Sequence, residues 1–205
     1  MQNTRGSAPA RRKLTSATRL AAALGVTGLL VLGATACSSA ASATPGAAAG
    51  DAAAGGDIPD NAVFLTYADT TLGFSIQYVE GWQVSPDGSG VVIRDKDSSE
   101  TVAVVTTAAD AATYVAQTDL PALQQQAGFA LVSQDTVTVG AATYPHLVYT
   151  IPSPPDPVTD KRVPSTIDRY YVQANGSMAV VSLSTPDGVD NVDAFRQMIE
   201  SFTWS

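Results

Sequence analysis

Tyr67-Ala68-Asp69-Thr70-Thr71-Leu72-Gly73-Phe74-Ser75-Ile76-Gln77-Tyr78-Val79-Glu80-Gly81-Trp82 is the stretch from which the fold is read. Ala62 to Tyr67 reads as a short strand, and Asp69-Thr70-Thr71 as the turn after it. From Leu72 to Tyr78 apolar and polar residues alternate, so that Phe74, Ile76 and Tyr78 share one face of a half-buried strand. Glu80-Gly81-Trp82 closes it and lays an indole on the sheet.

The same period continues outward along the chain. Pro86-Asp87-Gly88 reads as a turn, and Val91–Arg94 with Thr101–Thr106 as a hairpin. Its connection, Asp95 to Glu100, sets Asp95, Asp97 and Ser99 at alternate positions. A calcium loop, however, needs glycine sixth and glutamate twelfth, where Glu100 and Thr106 stand. The reading is a solvated hairpin tip. Asp110 to Gln126 is helical, with Asp119 placed to cap Leu120-Pro121-Ala122-Leu123 and Gly128 to stop it. Val132–Val139 pairs with Thr143–Ile151 around Gly140-Ala141. Ile167–Ala174 pairs with Met178–Thr185 around Asn175-Gly176, the strongest short hairpin signal. A helix from Val192 to Trp204 closes the chain, with Val192, Phe195, Ile199 and Phe202 on one face and Asp190 or Asn191 as cap. Capping also accounts for the spacing of Asp187, Asp190 and Asp193. The sum is an α+β domain: a mostly antiparallel β-sheet of seven or eight strands flanked by helices.

The N-terminus carries a different message. The first nineteen residues hold Arg5, Arg11, Arg12, Lys13 and Arg19 and no acid, and Leu20 to Ala36 is uncharged. A basic segment, an apolar segment and small residues before a cleavage point mark an export signal. Arg11-Arg12 admits the twin-arginine route, but general secretion suits the residues that follow better. Ala34-Thr35-Ala36-Cys37 resembles a bacterial lipobox, with Ala34 where leucine is more usual. Cys37 is then the acylated N-terminus of an exported bacterial lipoprotein, held on the outer face of the cytoplasmic membrane. The alternatives are a plain signal peptide or an uncleaved anchor. The predicted organisation is residues 1–36 as lipoprotein signal peptide, 37–57 as lipidated cysteine and flexible Ser/Ala/Gly linker, and 58–205 as one domain. A twenty-residue linker would span roughly 25 Å.

All nineteen acids and only six of the eleven bases follow Cys37, so the mature chain carries a net −13. That excludes nucleic acid, whose recognition needs a basic footprint, and leaves the membrane to the lipid anchor.

The run Leu72-Gly73-Phe74 followed by Tyr78, Gly81 and Trp82 resembles domains of the PsbP kind, with Val79 where proline is usual. FRQMIESF at Phe195–Phe202 is similar to that family's closing helix. The resemblance covers most of Ile58–Ser205. It implies an α/β sandwich, an antiparallel sheet covered by helices, also seen in Mog1-like proteins. The fold hosts adaptors more than enzymes, and no functional residue is carried over.

Chemistry is thin in the remaining residues. His146 is the single histidine and no serine or aspartate motif accompanies it, so it reads as structural. No His/Cys metal spacing and no phosphate-cradling loop is present, and no cofactor is expected beyond the acyl lipid on Cys37. The unusual segment is Pro152–Pro164, five prolines in thirteen residues, with Asp156, Asp160, Lys161 and Arg162 on it and Tyr170 and Tyr171 beginning the next strand. These six residues are the candidate partner-binding patch. The expected function is a non-catalytic, lipid-anchored binding or assembly module whose partner is another envelope protein. Carriage of a small ligand or divalent cation is the alternative, and a hydrolase using His146 the third reading.

Overall fold

The structure is a computed structural model that describes residues 56–107, 109–153, 155, 160–174 and 176–205. The export signal, Cys37, the linker as far as Gly55, Asn175 and Asp156 lie outside the described residues.

The strands are β1 (Phe64–Asp69), β2 (Phe74–Val79), β3 (Gln83–Asp87), β4 (Gly90–Arg94), β5 (Ser99–Thr106), β6 (Ala130–Val139), β7 (Ala142–Pro152), β8 (Pro164–Ala174), β9 (Ser177–Pro186) and β10 (Thr203–Trp204). The helices are α1 (Ala111–Tyr114), α2 (Leu120–Leu123) and α3 (Val192–Glu200), with a π-helical turn at Val115–Asp119 joining the first two. Seven strands form one antiparallel sheet in the order β3-β4-β5-β9-β8-β7-β6, and three form a second in the order β1-β2-β10.

Alternation builds the layers. Side chains from successive residues of a strand point to opposite faces, so β8 and β9 serve two cores. Val172, Ala179, Val181 and Leu183 meet Phe74 and Ile76 of β2 and Phe195, Met198 and Ile199 of α3. Ile167, Tyr171, Met178 and Val180 meet Ala111, Val115 and Leu123 of the α1–α2 segment. The seven-stranded sheet is thus packed between one helical segment and a layer made of α3 with the small sheet, the α+β arrangement expected of the chain. At Gly90 the β4 backbone lies against the Val102 carbonyl so closely that a Cβ would collide with it, which explains a glycine inside a strand.

Several local expectations need correction. Pro86 is not in a turn but in β3, an edge strand, where a residue without an N–H breaks no ladder. The last helix stops at Glu200. The Ser201 hydroxyl donates to the Met198 carbonyl and accepts from the Gln77 N–H, and Thr203 and Trp204 then pair with β2 as a strand. Val192 is 61% exposed, and the buried face is Phe195, Met198 and Ile199. Asp119 caps nothing: it sits inside continuous helical backbone, and its carboxylate is used elsewhere.

Asp69 and Asp95 close their turns as short polar residues do. Asp69 accepts from the N–H groups of Thr71 and Leu72, and Asp95 from those of Asp97 and Ser98. The Asp95–Ser98 connection is therefore a hairpin tip, but Glu100 is not part of it. It lies in β5 between Ile93 and Leu183 and is fully buried. Among the described residues no helix is long and apolar enough to cross a membrane.

Candidate functional site

The β6–β7–β8 register brings the single histidine between two carboxylates. His146 lies opposite Asp135 on one side and Tyr170 on the other, and Asp168 stands two residues from Tyr170 on the same face. The ring is 7% exposed. Nδ1 is 3.0 Å from Asp135 Oδ1, Nε2 is 3.1 Å from Asp168 Oδ1, and the ring stacks on Tyr170 at 4.5 Å. Burial works against the imidazolium, but hydrogen bonds and charge from Asp168 and Asp135 outweigh it and raise the pKa above 6.5. Burial, with the Asp168 charge beside it, pushes the Tyr170 phenol up to about 12. Both imidazole nitrogens are taken up by carboxylates, so this histidine ties three strands together.

The opposite face carries a second tie. The π-turn adds a residue to the helical circuit and turns Asp119 onto the sheet. There its carboxylate accepts from Arg169 Nε at 2.8 Å and Nη2 at 3.0 Å, and the Tyr171 hydroxyl donates to it as well. Arg169 Nη1 donates to the Ser182 hydroxyl at 2.8 Å. Burial opposes the Arg169 charge, yet Asp119 holds its pKa above the ordinary value; burial and the bond to Asp119 push the Tyr171 phenol up.

A third group has no tie. Neither oxygen of Glu100 has a hydrogen-bond partner, and burial alone pushes its pKa up to about 8. Two residues along the strands from the Glu100–Leu183 pair, Ser98 and Thr185 meet Asn191: its Nδ2 donates to their hydroxyls at 3.3 and 3.0 Å, and its Oδ1 accepts from the Ile58 N–H at 2.8 Å. A cavity of about 310 Å³ adjoins this set, lined in part by Asp60, Asp190 and Asp193. Asp190 accepts from the Val192 N–H and Asp193 lies in the first turn of α3, so both stand at the helix start, but the N-cap residue is Asn191 and its side chain makes no capping bond. Among the described residues no group of three or more His, Cys, Asp or Glu could hold a metal ion.

The candidate patch from the sequence is only partly assembled. Lys161 and Arg162 are exposed, and Arg162 donates to the Ser153 carbonyl at 3.0 Å, so the loop base is closed across Ser153 and Val163. Asp160 is exposed with φ of 54°. Asp156 is outside the described residues. Tyr171 is a correction: it faces α1–α2, is fully buried and cannot reach a partner with the loop, because the alternation of β8 sends it to the other core. Tyr170 is half-buried against His146 rather than continuous with the loop.

Replacing His146 with asparagine tests the first tie. A pKa raised in the fold stabilises fully below 6.5, and that part is lost as pH rises through the folded value. His146→Asn is expected to cost on the order of 2 kcal/mol at pH 5.5, where two charge-assisted bonds are lost, and clearly less at pH 8.5. Urea denaturation at the two pH values measures the difference.

No protein-family model matches the chain, and no curated protein matches it. Solved structures do. The solution structure of cyanobacterial PsbP (CyanoP) from Synechocystis is 18% identical, with 79% of this chain and all of that one covered at a TM-score of 0.48. The Saccharomyces cerevisiae Ran-binding protein Mog1p is 12% identical over 70% of this chain and 96% of its own, TM-score 0.49. LpqN of Mycobacterium tuberculosis, a protein involved in cell envelope biogenesis, is 17% identical over 68% and 90%, TM-score 0.41. Of one further match, from Bacteroides thetaiotaomicron, the chain spans about half (48%).

Proposed function

We propose that the chain is an exported lipoprotein, acylated at Cys37, whose domain is a non-catalytic binding or assembly module for an envelope protein and works without a cofactor. The observation that carries the reading of the domain is the engagement of His146. A general base must present a free nitrogen to a nucleophile, and both nitrogens here face carboxylates 3.0 and 3.1 Å away. Asp119, Arg169 and Tyr171 are likewise consumed by one another. The reading of the anchor rests on the uncharged Leu20–Ala36 segment, the small residues before Cys37 and the lack of a second cysteine for a disulfide. Multiple acyl chains on one residue give stable attachment where one chain is marginal.

Labelling cells with an alkyne fatty acid tests the anchor. The full chain is expected to carry label and to fractionate with membranes, and Cys37→Ser to do neither. Membrane-bound wild-type protein without label would contradict acylation.

A further inference from the structure

The two outer edges of the seven-stranded sheet are not alike. An edge strand exposes main-chain N–H and C=O groups that another strand can take up, and proteins guard it with proline, lysine, bulges or shortness. β3 is five residues long and contains Pro86. β6 is ten residues long, and its guard is confined to one end: the register shifts between Leu131 and Ser133, a bulge that leaves Val132 64% exposed. From Ser133 to Val139 the strand is regular and contains no proline, lysine or arginine. Its one charge, Asp135, is turned to His146. Among the described residues nothing pairs with its outer side.

A wall stands beside this edge. Ala112 of α1 is exposed and faces Gln134 and Thr136 of β6 across a groove of about 480 Å³; Val115, at the start of the π-turn, also lines it but is only 2% exposed. The edge offers main-chain bonds and the exposed Ala112 an apolar contact beside them, the two elements of strand addition.

Charge selects the occupant. Between Lys96 and Lys161 the sequence has no lysine or arginine, and this span contains α1, α2, β6 and β7 entire. Asp110 at the start of α1 and Asp135 are exposed. A second copy would bring another net −13 to the same edge, and like charge disfavours that pairing. We propose that β6 from Ser133 to Val139, with Ala112 of α1 beside it, receives an extended segment of a partner protein carrying lysine or arginine, which joins the sheet as an added strand. This rests on the reading of the domain as a partner-binding module and names its surface.

The test uses the full chain in native membranes, with a photo-crosslinking amino acid placed singly at Thr136 or at Arg162. The expected result is an adduct from position 136 to a net-basic segment of another protein, mapped by mass spectrometry. Adding the exposed substitution Gln134→Lys should reduce its yield at least about tenfold, with the thermal midpoint of the purified domain unchanged. Crosslinks from position 136 to a second copy, to lipid or to a neutral or acidic segment would overturn the proposal, as would an adduct indifferent to Gln134→Lys. Adducts from position 162 with none from 136 would overturn the edge and leave the binding module standing. Silence at both positions would remove both.

Discussion

Glu100→Leu is expected to stabilise the domain at pH 7 by on the order of 3 kcal/mol. The carboxyl lies fully buried between Ile93 and Leu183 with no partner for either oxygen. Burial raises its pKa from 4.5 to about 8. An acid whose pKa is raised by folding binds its proton more tightly in the folded state, so folding is unpenalised below 4.5. Stability then falls by about 1.4 kcal/mol per pH unit until the folded value is passed. Two and a half units of that window lie below pH 7. Leucine removes both the titration and the unsatisfied polar atoms and fits between two branched aliphatic neighbours. Glu100→Gln removes only the titration and should give a smaller gain with the same flattening of the pH profile. Guanidinium denaturation of the three proteins at pH 5, 6, 7 and 8 measures this. A wild-type profile flat from pH 5 to 8, or a less stable Glu100→Leu, would show that the carboxyl has a partner. His146 adds to the same trend, since its contribution also fades with rising pH. The lowered pKa values of Asp69, Asp87 and Asp110, held down by hydrogen bonds, act oppositely at low pH. The domain is thus expected to be most stable near pH 5.

Asp119→Ala is expected to cost about 3–5 kcal/mol, which for a domain of this size lowers the melting temperature by roughly 10 °C. The loss comes less from the missing bond than from what remains. Arg169 would keep its charge in a site where its side chain is only 20% exposed, and the Tyr171 hydroxyl would lose its acceptor. Asp119→Leu combined with Arg169→Met removes both charges together and is expected to recover most of the loss, because a buried pair is close to neutral against apolar replacements. Calorimetry on the single and double variants checks it. A double variant no more stable than Asp119→Ala would mean that the pair itself, and not the orphaned charge, carries the energy.

The contrast between these two acids shows what the sequence made legible. The strands were readable because alternation and turn chemistry act locally: Phe74 and Ile76 are buried as their period requires, and the Gly140-Ala141 and Gly176 turns fall where the hairpins need them. Asp119 was misread because an acid before Leu-Pro looks like a cap, whereas its role is set by Arg169, fifty residues away, through a π-turn that leaves no local signature. Glu100 was misread as part of a polar tip, although its alternation with Val102 and Val104 placed it on a buried face. The two carboxylates around His146 were also within reach. Pairing β6 with β7 about Gly140-Ala141 sets Asp135 opposite His146 by counting alone, but Asp168 needs the β7–β8 register, which crosses the Pro152–Pro164 loop. That loop was the outstanding feature of the sequence, while the unguarded edge at Ser133–Val139 was not, since an edge is a property of sheet order and sheet order is non-local.

The most direct test of the domain as a binding module is carbodiimide crosslinking, which joins carboxylates of this acidic chain to lysines of a partner, on the full chain in its native membrane, with His146→Asn and Cys37→Ser alongside. The account predicts a discrete heteromeric adduct for the wild type, the same adduct for His146→Asn, and its loss for Cys37→Ser. A wild-type chain that stays monomeric, or an adduct that vanishes with the imidazole while the fold survives, would contradict it.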